Sequence, residues 1–144
     1  GKVTDKSYEY ALKFANERKL PILVHTWGGS QTSGADIMLS AAQKYPNVKF
    51  FMGHSFSGDW EGAKRVFEQA PGNVYFELTS LPGQHGVIER LVHDIGSKYI
   101  LFGTDMPWFD EYQAVGGILG AKISENDVRN ILYKNAERIL GKNW

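Results

Sequence analysis

The chain has 144 residues, of which 42% are hydrophobic and 22% charged, and these values are ordinary for one globular domain spanning residues 1–144. Lysine plus arginine equals aspartate plus glutamate at 16 each, and this neutral balance argues against nucleic acid as a partner. The lack of cysteine excludes disulfides, thiolate metal ligands and cysteine nucleophiles.

No apolar run reaches the roughly 20 residues that a membrane-spanning helix requires, so we expect no membrane partner. The start of the chain lacks the basic-then-apolar layout of a signal peptide. A cysteine-free chain also fits a reducing compartment. We therefore expect a cytoplasmic protein.

Helix and strand patterns alternate along the chain. The predicted strands are residues 22–25, 48–54, 73–79 and 99–105. The predicted helices are residues 7–19, 35–45, 60–69, 87–95, 127–133 and 136–140. The strand ends follow one another at nearly regular intervals, which is typical of βα units in a parallel sheet with right-handed crossovers.

Alternate residues of each predicted strand differ in character. Counting back by two from each strand end gives a mixed set with a polar or ionisable group last: Leu23 and His25; Phe50, Met52 and His54; Tyr75, Glu77 and Thr79; Leu101, Gly103 and Asp105. The opposite set is almost purely apolar and suits a layer of covering helices. This pattern predicts an α/β fold that is half of a TIM (β/α)8 barrel, with its site at the carboxyl ends of the strands. A small doubly wound sheet is the alternative, which a reversal in strand order would identify.

Three of the predicted strands end in a side chain that can bind a metal or move a proton, namely His25, His54 and Asp105. Taken singly, each histidine is more often structural, and Asp105 can equally cap the following loop. A neutral imidazole is a ligand for zinc or a similar ion, and a carboxylate supplies an anionic ligand. A second histidine can shuttle protons near neutral pH. Their joint placement at one sheet edge predicts a shared functional site.

Two tryptophans come soon after these strand ends. We expect Trp27 and Trp108 to line an apolar substrate pocket, with packing beneath loops as the alternative. His93 lies in the middle of a predicted helix and is expected to face solvent. His85 follows the third strand, and we favour a surface position for it over one that overhangs the site.

Five segments stand in an order and at intervals that match one known family. They are Pro21–Thr26, Met52–His54, Val74–Leu78, Leu101–Pro107 and Asn135–Leu140. Together they resemble strands five to eight and the terminal helix of the amidohydrolase-related family of TIM-barrel metal-dependent hydrolases and non-oxidative decarboxylases. The resemblance extends from about residue 7 to residue 140.

The resemblance implies roles for three residues. It implies that His25 is a metal ligand and that His54 is the catalytic acid–base group or a ligand to a second metal. It further implies that Asp105 binds the metal and can take a proton from its water. The implied ion is a divalent metal, zinc before others, and the implied substrate is a small carboxylated or cyclic molecule.

The chain departs from the family pattern in one respect. The family's first strand carries a His-x-His pair, whereas the histidines here are His25, His54, His85 and His93, and no two are so spaced. The chain therefore resembles the carboxyl-terminal half of a barrel. We expect the hydrolase or decarboxylase (lyase) chemistry only in the complete barrel, and weak or absent metal binding and no activity in this chain alone. A non-enzymatic βα module for binding or assembly is the alternative.

A half barrel leaves two sheet edges unpaired. It also leaves an inner face uncovered, which we expect to consist of Phe50, Met52, Tyr75 and Leu101. Unpaired edges and exposed apolar faces promote association. The sequence therefore predicts that the chain self-associates.

Overall fold

The computed structural model describes residues 1–81 and 84–141. The strands are β1 (Pro21–His25), β2 (Lys49–Gly53), β3 (Val74–Glu77) and β4 (Ile100–Leu101). The helices are α1 (Lys6–Arg18), α2 (Ala35–Lys44), α3 (Trp60–Gln69), α4 (Val87–Ile95), α5 (Glu111–Gly120), α6 (Glu125–Arg129) and α7 (Asn135–Leu140). Short 3₁₀ turns occupy His54–Phe56 and Ser97–Tyr99, and a π-helical turn at Asn130–Lys134 joins α6 to α7.

The strands follow the sheet order β1-β2-β3-β4, and the pairs β1–β2 and β3–β4 are parallel. The prediction of an α/β fold built from parallel βα units is therefore confirmed. The order does not reverse, so the doubly wound alternative is wrong. Within residues 1–81 and 84–141, no helix has the length and apolar character needed to cross a membrane.

The chain divides into two compact units, Gly1–Tyr75 and Phe76–Trp144, and the division falls inside β3. In the first unit, α1 buries Leu12 and Ala15 and ends where Lys19 adopts a left-handed conformation. The next helix, α2, buries a row of small and flexible side chains. The start of α3 is capped by Asp59, whose carboxylate accepts a hydrogen bond from the Gly62 amide at 2.9 Å. Such a cap satisfies an amide that the helix itself leaves unpaired. The prediction of a single domain over 1–144 stays a prediction.

The register of β1 and β2 corrects one expectation about the sheet. The paired residues are Ile22 with Phe50, Val24 with Met52, and His25 with Gly53. Phe50 and Met52 therefore share the face of Ile22 and Val24, opposite to the face of His25, and both are fully buried. The strand ends one residue before His54, and a shift of one residue moves each side chain to the other face. The prediction that these two residues line an uncovered face is wrong.

The same expectation fails for the other two residues of that set. Tyr75, in the first unit, is buried with its ring 5.8 Å from the ring of Phe51. Leu101, in the second unit, is buried on β4 opposite Glu77. A different apolar residue, Leu23 on β1, is 65% exposed.

The start of β3 is held by one buried amide side chain. Asn73 Nδ2 donates to the carbonyls of Ala42, Tyr45 and Val48 at 3.2, 3.1 and 2.9 Å. The Asn73 carbonyl in turn accepts from the amide of Phe50 at 2.8 Å. These bonds tie the end of α2 and the entry to β2 to the first residues of β3, because each carbonyl would otherwise be buried without a donor.

In the second unit, the segment Asn-Ala-Glu-Arg that opens α7 has a clear structural use. Asn135 Nδ2 donates to the carbonyls of Ser97 and Ile100 at 2.7 and 2.8 Å. Arg138 donates to the Lys98 carbonyl at 2.6 Å and to Asn135 Oδ1 at 3.1 Å. The terminal helix therefore fixes the turn that leads into β4.

Candidate active site

The first unit brings His25, His54 and Trp27 together. The rings of His25 and His54 lie 4.5 Å apart between centroids in an edge-to-face arrangement. The Trp27 ring is nearly parallel to that of His25 at 6.1 Å and meets the His54 ring edge-on at 5.5 Å. His25 is exposed, Trp27 is 44% exposed, and His54 is only 6% exposed. The three rings thus form a cluster with a buried imidazole at its base.

His54 occupies this position through an unusual turn. His54, Ser55 and Phe56 have φ values of 64°, 48° and 58°, which side chains other than glycine rarely adopt. All three residues are buried. Left-handed backbone costs roughly 1–2 kcal/mol per residue, so the surrounding contacts must hold the turn in place.

Hydrogen bonds between the loops after β1 and β2 supply that hold. The Thr26 amide and hydroxyl both donate to the Gly53 carbonyl, at 2.9 and 2.7 Å. The same hydroxyl accepts from the Phe56 amide at 3.0 Å. The Gly28 amide donates to the Ser57 carbonyl at 3.0 Å. These bonds bracket the turn that carries His54, and sequence reasoning did not single out Thr26.

Asp105 belongs to the second unit. Its predicted place as the last residue of a strand is wrong, because β4 ends at Leu101. Asp105 is exposed with a φ of 56°, and its carbonyl accepts from the Trp108 amide at 2.9 Å. The peptide bond between Met106 and Pro107 is cis, and Trp108 is 82% exposed. The shared placement of His25, His54 and Asp105 stays a prediction, as do the substrate-binding roles of Trp27 and Trp108.

A buried carboxylate lies at the end of β3 in the second unit. Glu77 Oε1 accepts from the amide and the hydroxyl of Thr79 at 2.7 and 2.5 Å. A Cβ atom at Gly103 would collide with this carboxylate. Glu77 therefore lies directly over the backbone that leads to Asp105. The sequence signal for it was an acidic residue within the otherwise apolar run of Val74–Leu78.

The histidines outside this cluster follow the expected pattern. His93 is exposed on α4, with Nδ1 2.8 Å from Asp94 Oδ1. His85 is exposed beside α4 and lines a cleft with Glu89 and residues of α5. Both positions agree with surface roles.

His25 and His54 are residues of a type that binds metal ions, but two ligands are fewer than a protein metal site usually has. Two imidazoles are suitable donors for zinc, which usually takes four ligands, or three and a water, in proteins. No group of three or more histidine, aspartate or glutamate side chains that could hold an ion occurs in the parts of the chain that the structure describes.

Comparison with known proteins places the fold. Residues 1–142 match the family profile described as Amidohydrolase. Similar solved structures include an uncharacterized TIM-barrel protein from Bordetella bronchiseptica, with a TM-score of 0.79, 22% identity, and coverage of 97% of this chain and 52% of that one. An amidohydrolase from Burkholderia multivorans with bound zinc gives a TM-score of 0.77 and 10% identity, covering 95% of this chain and 58% of that one.

A dihydroxybenzoic acid decarboxylase from Polaromonas sp. JS666, with bound manganese and the inhibitor 2-nitroresorcinol, gives a TM-score of 0.72 and 17% identity, covering 99% of this chain and 56% of that one. No curated protein matches the chain. The chain thus spans a little more than half the length of these structures, which confirms the prediction of half a TIM barrel. The chain belongs to the amidohydrolase family.

Proposed function

We propose that this chain provides part of the active site of a metal-dependent hydrolase that acts on a small carboxylated or cyclic substrate. The observation that carries the proposal is the imidazole pair, with His25 and His54 at 4.5 Å where two adjacent parallel strands end, in a chain of the amidohydrolase family. Non-oxidative decarboxylation, a lyase reaction, is the second candidate. The decarboxylases among the similar folds favour it.

In the complete barrel, His25 and Asp105 are the proposed metal ligands, and zinc is the proposed ion. When bound, such an ion polarises a substrate oxygen and lowers the pKa of a bound water to about 7. His54 is the proposed acid–base group, because an imidazole gains and loses protons near neutral pH and this one is buried against His25. Asp105, an exposed carboxylate, is proposed to accept a proton during the reaction.

The two tryptophans are the proposed substrate contacts. Trp27 is half exposed and lies parallel to the His25 ring, so its free surface can cover the flat part of a cyclic substrate. Trp108 follows Asp105 and presents most of its ring to solvent. An apolar wall beside a few polar groups is the usual composition of a small-molecule site.

We also propose that a second copy of the chain associates along the edge of the sheet at β1. Among the strands that the structure describes, β1 has β2 as its only neighbour. An apolar groove of about 370 Å³ lies beside it, lined by Val3, Tyr8, Leu12, Ile22 and Leu23 among others. Unpaired edges with apolar neighbours favour strand pairing with another chain. The cytoplasmic location stays a prediction.

The test of the function uses the protein expressed from its complete reading frame and loaded in separate preparations with zinc or manganese. Hydroxybenzoates serve as decarboxylation substrates, and their turnover is measured as the release of carbon dioxide. Lactones and N-acyl compounds serve as hydrolysis substrates, followed by release of acid. We expect turnover within one of these classes, and the class that reacts decides between hydrolase and lyase.

The variants in this assay are His54→Asn and His93→Asn. Asparagine tolerates the left-handed backbone of position 54 but cannot exchange protons, so kcat should fall by roughly 10²–10⁴. His93→Asn, on the exposed face of α4, should leave kcat unchanged. Absence of turnover in both classes with both metals would reject the enzymatic proposal in favour of a binding or assembly module.

A further inference from the structure

The residue that follows His25 is a fully buried threonine that makes three hydrogen bonds. Thr26 is inaccessible to solvent. Its hydroxyl donates its one proton to the Gly53 carbonyl and uses a lone pair to accept the Phe56 amide, at 2.7 and 3.0 Å. One hydroxyl therefore joins the residue before His54 to a residue two positions after it.

We infer that Thr26 is a positioning residue that holds the His54 imidazole against the His25 ring. The turn that this hydroxyl joins contains His54, Ser55 and Phe56, which all have left-handed φ values, a conformation that the isolated segment would not keep. The Phe56 amide is buried and, without the hydroxyl, would lose an acceptor that water cannot replace. The arrangement places the threonine one residue from His25 and within the turn contacts of His54, so it couples the positions of both rings.

Gly53 also contributes to the contacts that hold the turn at His54. A Cβ atom at this position would lie 3.1 Å from the Val24 carbonyl and 3.7 Å from the His25 Cα. The missing side chain lets β2 approach β1 closely at its end. The Gly53 carbonyl can then accept from the amide and the hydroxyl of Thr26 together.

The deciding variant is Thr26→Val, which keeps the shape of the side chain and removes the hydroxyl. We expect the magnetisation transfer between the His25 and His54 ring protons to weaken in NMR spectra, and the Phe56 amide to exchange with solvent at least tenfold faster. The activity measurement in this test rests on the proposed function, whereas the NMR measurements do not. There, kcat should fall roughly tenfold to a hundredfold while KM changes by less than about threefold, as misplacement of a reacting group requires.

Thr26→Ser restores the hydroxyl without the methyl group and should return the ring contact, the Phe56 protection and kcat to within about threefold of wild type. Thr4→Val, at an exposed position of the same unit, is the matched control and should change none of them. If Thr26→Val fails to fold, folded Thr26→Ser decides the question. Loss of the ring contact and of Phe56 protection in that variant would overturn the inference.

Unchanged ring contact and Phe56 exchange in folded Thr26→Val would also overturn it. The NMR measurements need no turnover. A protein without activity that still shows the expected spectra would therefore reject the proposed function and retain the positioning role.

Discussion

At position 103 the structure leaves no room for a side chain. The carboxylate of Glu77 occupies the space where a side chain at position 103 would begin, and the Thr79 hydroxyl lies 2.9 Å from the same point. Glu77 itself is fixed by its two bonds from Thr79. The close approach explains why a glycine stands two residues before Asp105.

Gly103→Ala is therefore expected to destabilise the protein by roughly 1–3 kcal/mol, the usual cost of forcing extra atoms against a buried group, here the Glu77 carboxylate. Urea unfolding followed by circular dichroism measures the change. Gly116→Ala, in α5, is the matched control, because no atom lies within 4 Å of its added methyl. That control should gain about 0.5–1 kcal/mol through helix propensity. Equal unfolding midpoints for the two variants would contradict the Glu77 contact.

The histidines illustrate what residue-level reasoning can reach. The joint placement of His25 and His54 at strand ends pointed to a shared site, and the structure brings their rings together. The left-handed turn at His54 was beyond prediction, because its backbone depends on the Thr26 hydroxyl, 30 residues from Phe56 in sequence.

At the scale of elements, α6 begins with a capping box formed by Ser124 and Asp127. Ser124 Oγ accepts from the Asp127 amide at 3.2 Å and donates to Asp127 Oδ2 at 2.6 Å, and the Ser124 amide donates to that same oxygen at 3.2 Å. The Ser97 hydroxyl donates to Asp127 Oδ1 at 2.5 Å. The hydrogen bonds from Ser124 and Ser97 lower the pKa of the Asp127 carboxyl below its ordinary value.

This lowered pKa gives a pH dependence with a definite sign. The ionised Asp127 is bound more favourably in the folded chain, so its contribution is complete above the unfolded pKa of about 4 and is lost as the pH falls through the folded value. Asp127→Asn should lower the melting temperature at pH 7. Between about pH 5 and pH 2, the melting temperature of this variant should fall less than that of wild type. Asp36→Asn, at an exposed surface pair, should leave that acid decrease close to wild type. An equal fall in melting temperature in acid for wild type and Asp127→Asn would contradict the stabilising role of the Asp127 carboxylate.

The element that sequence patterns did not predict is α5. Asp110 caps its start, and the Asp110 carboxylate accepts from the Tyr112 amide at 2.7 Å. Gly116, Gly117 and Gly120 lower its intrinsic helix propensity. The helix is nevertheless present, with Ala114 and Ile118 buried, because packing contributes more than local preference.

At the scale of the whole molecule, the edge of the sheet at β1 determines the expected association. Leu23 is an exposed apolar residue on that edge strand. We expect light scattering to give about twice the 16.2 kDa mass of one chain. Leu23→Lys should shift the distribution toward monomer, because a charge on an edge strand opposes strand pairing. Leu119→Lys, at a comparably exposed leucine on α5, should leave the mass unchanged. A monodisperse wild-type monomer would refute this association.

Metal binding is the second expectation at this scale. The isolated 144-residue chain should bind zinc far more weakly than nanomolar, since the imidazole pair provides only part of a ligand set. Calorimetric titration measures the affinity, and His25→Ala should remove what remains. A nanomolar affinity in the wild-type chain would contradict the expected weak binding.

The sequence by itself determined the alternation of helices and strands, the parallel βα class and the family segments, because periodicity and turn signals are local. Only the tertiary structure decided that β2 ends at Gly53 rather than His54, that Phe50 and Met52 are buried on the face opposite to His25, and that Glu77 lies over Gly103. These features depend on strand pairing and close contacts between residues that are distant in sequence, as with Glu77 and Gly103, which are 26 positions apart. A local sequence pattern does not predict which residues distant in sequence will pack or hydrogen-bond together. These contacts are therefore decided only by the folded structure.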